Sequence, residues 1–246
     1  MQILLTVAYD GTNYAGWQRQ NNAIAVQEKL EDALSVLLNR PVQVQGASRT
    51  DSGVHALGQR VCFIAQDLRV PLDKLPMVLA GLLPQDISVM ASEVVPDDFN
   101  PRFDAKYKTY EYSFYNAPCP NPLLARYSTF VPQPLDLQDM RTAAKFFVGK
   151  HDFTAFCATG SSAKTTVREI YDCDIVKSQN DIITLSITGN AFLYNMVRII
   201  AGTLLYVGIG KIACDAIPTI IASKDRKQAG KTMPPQGLTL VSVTYK

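Results

Sequence analysis

The chain has 246 residues, 47% hydrophobic and 19% charged, enough for a packed core and far from disordered or collagen-like compositions. Its net charge is only +2, yet residues 1–104 carry −4 and residues 105–246 carry +6, a polarity compatible with a polyanion along the second half. The opening MQILLTVAYDG lacks the basic start and apolar stretch of a secretory signal, so the cytoplasm is the expected location. The apolar run 191–210 reads as a buried helix, because Asn195 and Arg198 interrupt it and argue against a membrane span. Cys62, Cys119, Cys157, Cys173 and Cys214 are odd in number and contain no C-x-x-C pair, so they read as buried free thiols.

Taken in chain order, Ile3–Tyr9 has the β-branched alternation of a strand, closed by the turn residues Asp10-Gly11-Thr12-Asn13. Val26, Leu30, Leu34 and Leu37 share one face of a helix over 23–39, which Pro41 terminates. Short strands are expected at 42–45 and 59–65, joined by the polar loop 46–58; a helix follows at 71–82 and a strand at 87–95. The second half opens with an aromatic strand at 106–115 and a Pro-rich connection to a helix at 137–148. Strands at 167–177 and 181–188, a helix from about 191, a helical stretch at 211–222 and a strand at 238–245 complete it. Two βαββαβ runs predict an α+β chain of two ferredoxin-like (split βαβ) halves, 1–104 and 105–246, whose antiparallel sheets face a central cleft.

Several chemistries are excluded. Ala8 stands where the D-x-D-G-T phosphotransferase pattern needs its nucleophilic aspartate, and neither a P-loop nor a dinucleotide-binding glycine motif is present. The loop Gly46-Ala47-Ser48-Arg49-Thr50-Asp51-Ser52-Gly53-Val54-His55 gathers a cation, an anion, hydroxyls and a histidine between two strands. A carboxylate there, with an arginine two residues before it, has the ingredients of an ionised nucleophile, and equally those of a local Asx-turn with an Arg–Asp pair.

Tyr9-Asp10-Gly11, Gly16-Trp17-Gln18-Arg19-Gln20, Arg49-Thr50-Asp51-Ser52-Gly53-Val54-His55, Arg102-Phe103 and Asn190-Ala191-Phe192 with Met196-Val197-Arg198 resemble, in order, the TruA family of tRNA pseudouridine synthases. Ser48 and Ser52 depart from the family's G-R-T-D-A-G-V-H. The resemblance implies isomerisation of uridine to pseudouridine at positions 38, 39 and 40 of the tRNA anticodon stem-loop, without cofactor or metal, by a homodimer with no membrane association. It implies Asp51 as the catalytic nucleophile, Tyr110 against the target base, Arg49 in swinging that base out, and Leu238 in the pocket wall. Arg198, on a mostly apolar helix, is the further substrate-binding residue, with Asp51 as its expected partner. His55 is expected to support the loop, and Lys164, Arg168, Lys224, Arg226, Lys227 and Lys231 are candidate phosphate contacts. A catalytically silent RNA-binding paralogue and a nucleosidase using Asp51 are the competing readings.

Overall fold

The computed structural model describes residues 1–66, 68–178 and 180–245. Packing divides the chain into two units, Met1–Lys106 with Leu240–Lys246, and Tyr107–Thr239.

The first unit is an antiparallel sheet with helices. Strands β1 (Gln2–Tyr9), β2 (Gln45–Gly46), β3 (His55–Ile64), β4 (Ile87–Val95) and, from Leu240 on, β10 (Leu238–Thr244) are ordered β4-β1-β3-β10, with β2 paired on β3. Helix α1 (Val26–Leu38) buries Val26, Leu30, Ala33 and Leu34, the face predicted by their spacing, and α2 (Leu75–Ala80) buries Leu75 and Leu79. Helix α1 starts three residues later than expected. Its first N–H groups lack a side-chain cap at Ala25 and are satisfied by main-chain carbonyls, Val26 by Gly16 at 3.2 Å and Gln27 by Trp17 at 3.0 Å. The expected strand at 42–45 shrinks to Gln45–Gly46. Val42 N–H donates instead to Ser35 Oγ (3.0 Å) and Val44 N–H to Glu31 Oε1 (3.1 Å), so side chains of α1 take the bonds a neighbouring strand would make. Strand β3 begins at His55, four residues early, which shortens the polar loop to 47–54.

The second unit is built on β5 (Tyr107–Asn116), β7 (Gly149–Asp152), β8 (Val167–Lys177) and β9 (Ile182–Gly189), in the order β5-β9-β8-β7, all antiparallel. A short strand, β6 (Thr129–Val131), pairs in parallel with the end of β5. Neither β6 nor β7 was expected; each is too short to show a period. Tyr110, Tyr112 and Phe114 alternate inward from β5. They share the core with Leu185 and Ile187 of β9, Met140 of α3 (Leu137–Lys145) and Ile199, Ile200 and Leu204 of α4 (Met196–Gly208). Helix α4 starts five residues later than expected, because Asn195 is left-handed (φ 59°), the Leu193 carbonyl takes a turn bond from Met196 N–H (3.0 Å) and the Tyr194 carbonyl accepts the distant Ala158 N–H (3.1 Å). Helix α5 (Ile217–Ser223) follows a 3-10 turn at Cys214–Ala216. Among the described residues no helix is long and apolar enough to cross a membrane. All five cysteines are free thiols, but only Cys62 and Cys173 are buried; Cys119 is exposed.

Candidate active site

The loop 47–54 of the first unit is fastened along its length. At its start, the fully buried Gln59 clamps Ser48 at both main-chain atoms, donating from Nε2 to the carbonyl (2.6 Å) and accepting the N–H at Oε1 (3.2 Å). Thr50 accepts the Trp17 N–H at its carbonyl (3.1 Å) and shares a 2.8 Å hydroxyl bond with Tyr9. Past Asp51 the chain turns, with Val54 N–H donating to the Asp51 carbonyl (3.1 Å) and Gly53 at φ 77°. The carbonyl of Tyr14 accepts both Gly53 N–H and Ser52 Oγ at 3.2 Å. Tyr14 is itself fixed: its hydroxyl donates to Asp86 Oδ1 at 2.5 Å, and burial together with that carboxylate pushes its phenol pKa well up. Gly16 (φ 95°) lies so close that an added Cβ would come within 2.6 Å of the Thr50 carbonyl.

Asp51 is half-buried at the centre of these fasteners, and Arg49 is exposed two residues before it. His55 is buried at the start of β3. Its Nδ1 accepts the Gly11 N–H at 3.0 Å and lies 3.1 Å from Asp10 Oδ1, which ties the loop's exit to the turn after β1.

In the second unit, Tyr110 is 8% exposed at the middle of β5, opposite Ile187, with its ring edge-on to Phe192 at 5.1 Å. Two residues on, Tyr112 is fully buried, donates to the Pro234 carbonyl (2.8 Å) and shares a 2.6 Å bond with the Thr129 hydroxyl. Burial raises its phenol pKa, offset in part by the bond with Thr129 and then by the positive charge of Arg198. Arg198 donates from Nε to the Met233 carbonyl (2.7 Å) and from Nη1 to Asn195 Oδ1 (2.6 Å), while Met233 N–H donates to the Arg198 carbonyl (3.2 Å). Leu238 is buried directly after the 3-10 turn Pro235–Gly237, whose glycine abuts the Tyr112 ring. Tyr112, Arg198 and the segment 233–237 thus form one connected cluster, with Tyr110 beside it on the same face of β5.

The segment feeding that cluster is also pinned. Gly230 N–H donates to the buried Thr203 hydroxyl (2.8 Å), and Gly202 and Gly230 meet main chain to main chain. Arg226 donates to the Gly230 carbonyl (2.8 Å) and to Thr232 Oγ1 (3.1 Å), so it serves its own loop. Lys224 pairs with Asp152 at 2.8 Å, and that ion pair with the hydroxyls of Thr166 and Thr154 holds the Asp152 carboxyl well below its usual pKa. Lys164, Lys227 and Lys231 are exposed, and Arg168 is half-buried. Among the described residues no three of His, Cys, Asp and Glu gather as metal ligands. Gln59, Tyr14 and Asn195 were not read as site residues from the sequence. Asn195 had shown itself only as a polar break in an apolar run, and Gln59 only as a polar residue within a strand.

A family model described as tRNA pseudouridine synthase matches residues 5–104 and 143–246. The chain is 50% identical over 244 residues to tRNA pseudouridine synthase A of Ruminiclostridium cellulolyticum, covering 99% of each chain. It is 47% identical to the protein of that name from Caldicellulosiruptor saccharolyticus and 49% identical to that from Acetivibrio thermocellus, again with 99% of each chain covered. Among solved structures, the archaeal box H/ACA sRNP Nop10-Cbf5 complex is similar over 82% of this chain and 44% of that one, at a TM-score of 0.38 and 11% identity. On the family match and the full-length relatives, this chain belongs to the tRNA pseudouridine synthase family.

Proposed function

We propose that this chain is an isomerase that converts uridine to pseudouridine at positions 38, 39 and 40 of the tRNA anticodon stem-loop, with Asp51 as its nucleophile. The reaction is a rearrangement that balances without redox. The N1–C1′ bond breaks, the uracil turns, C5 bonds to C1′, the C5 proton leaves and N1 takes up a proton. A carboxylate serves either direct attack at C1′ or a glycal route, since both pass through a sugar bearing developing positive charge. The observation that carries the reading is the placement of Asp51. It sits at the crest of a loop fastened before it by Gln59 and Trp17 and after it by Tyr14, on a chain that matches the family throughout. Such a loop presents its carboxylate without having to reorganise during the reaction.

In this reading Tyr110 packs against the target base, its ring held edge-on by Phe192, and Leu238 forms apolar wall. Arg198 binds the substrate, with its guanidinium plane already set by Met233 and Asn195. Exposed Arg49 helps displace the base from its stack, and Lys164, Lys227 and Lys231 supply phosphate contacts that make binding salt-dependent. A homodimer engaging one tRNA through both subunits is part of the proposal, and sedimentation with and without tRNA tests it.

The decisive measurement is tritium release from C5-labelled uridine in an anticodon stem-loop tRNA. Wild type is expected to release tritium, and Asp51→Asn to lose at least about 10⁴-fold in rate while keeping tRNA affinity. Binding without release by the wild type supports a silent RNA-binding paralogue instead, and free uracil supports a nucleosidase.

A further inference from the structure

The residue before α4 breaks two habits of helix N-termini. An asparagine at this position ordinarily has an extended backbone and uses its side-chain oxygen to accept an N–H of the first turn. Asn195 is left-handed (φ 59°, ψ 9°), and its side chain makes no capping bond. Its carbonyl still opens the helix, accepting Ile199 N–H at 3.0 Å, so the side chain has been diverted with the helix start intact. Its Oδ1 accepts Arg198 Nη1 at 2.6 Å, a short charge-assisted bond. Left-handed backbone in a residue other than glycine persists where the surroundings demand it, and such positions cluster at functional sites.

We propose that Asn195 is a positioning residue for Arg198, spending a helix cap to hold the guanidinium in its working orientation. The inference rests on the reading of Arg198 as a substrate-binding residue. The clamp has two jaws. One is main chain: Met233 accepts Arg198 Nε at 2.7 Å and donates back to the Arg198 carbonyl, on a segment anchored by the Gly230–Thr203 bond and the Gly202–Gly230 approach. The other is the Asn195 amide. Bonds at Nε and at Nη1 fix both the position and the plane of a rigid fork, which a single bond leaves free to rotate.

Asn195→Gly provides the test, since glycine adopts the left-handed backbone at no steric cost and removes only the acceptor. Its melting temperature is expected to stay within about 3 °C of the wild type, because relief of the left-handed backbone offsets part of the lost bond. Its single-turnover rate of pseudouridine formation is expected to fall about tenfold or more, while KM for tRNA changes less than about twofold. Asn195→Asp, which keeps an acceptor of the same reach and tolerates the same backbone, is expected to restore the rate to within about threefold of wild type. In an Arg198→Lys background, Asn195→Gly is expected to cost nothing further, as for two residues acting through one interaction. A wild-type rate in Asn195→Gly, an equal loss in Asn195→Asp, or multiplying losses in the double variant overturns the role of Asn195 and leaves the proposed function standing. A wild-type rate in Arg198→Lys overturns the reading of Arg198, and the inference with it.

Discussion

In the first unit, the chain on either side of Asp51 is placed largely through its own main-chain atoms: Thr50 accepts from Trp17, Gly53 donates to Tyr14, Ser48 is clamped at both main-chain atoms by Gln59, and Gly16 presses against the Thr50 carbonyl. In the second, Arg198, Tyr112 and Tyr110 are placed mostly by their side chains, through Asn195, Thr129, Phe192 and the carbonyls of Met233 and Pro234. The contrast has a chemical logic. A short Asp has little reach, so its backbone must be put where the carboxylate is needed, whereas long Arg and Tyr side chains must be stopped from swinging. It also predicts different sensitivities, to an added Cβ in one region and to a lost acceptor in the other. Ser48 and Ser52, the departures from the family loop, fit this pattern: neither has positive φ, and Ser48 is held through its backbone.

The sharpest way to break the comparison is Gly16→Ala. A methyl 2.6 Å from the Thr50 carbonyl, on a backbone at φ 95°, must displace the loop. An activity loss of about a hundredfold is expected in kcat/KM for tritium release, and a near-wild-type value removes the main-chain argument. Next comes Thr203→Val, which keeps shape but strands the buried Gly230 N–H. It is expected to cost about 1–3 kcal/mol in denaturant unfolding and to lower kcat through the Met233 contact to Arg198. Smaller is Asp152→Asn. Because the Asp152 carboxyl is held below its unfolded pKa, its stabilisation is full above that value, about 3.9, and fades as pH falls through the folded pKa. The variant is expected to be about 1 kcal/mol less stable at pH 7 and to converge with wild type in acid, read by melts from pH 7 to 2. The smallest effect is expected from Ser52→Ala. It removes one partly exposed bond to Tyr14 and leaves the Gly53 bond in place, costing about 0.5 kcal/mol with kcat within about twofold.

What was legible in the sequence follows from where the determining interactions lie. The strands Ile87–Val95 and Val167–Lys177 match their expected bounds because alternation and flanking turn residues are local signals. The face of α1 was equally plain from its leucine and valine spacing, but its first residue was not, since the carbonyls of Gly16 and Trp17 set it from ten residues away. The three-residue β6 exists only because the end of β5 lies beside it. At the site, the composition of 46–55 drew attention to Asp51 and Arg49, and the family motifs added Tyr110, Arg198 and Leu238. The fasteners were out of reach for the same reason as β6. Gln59 on Ser48 and Asp86 on Tyr14 are pairings of distant residues with ordinary local signatures.

The last strand carries a consequence for synthesis. Leu240–Lys246 belongs to the first unit, where β10 lies along β3, yet it is translated only after the whole of Tyr107–Thr239. A nascent chain therefore holds the Asp51 loop on a sheet whose β3 is covered opposite β1 only at Val61 and Cys62 by the short β2, leaving the rest of that edge an open template for mispairing until β10 emerges.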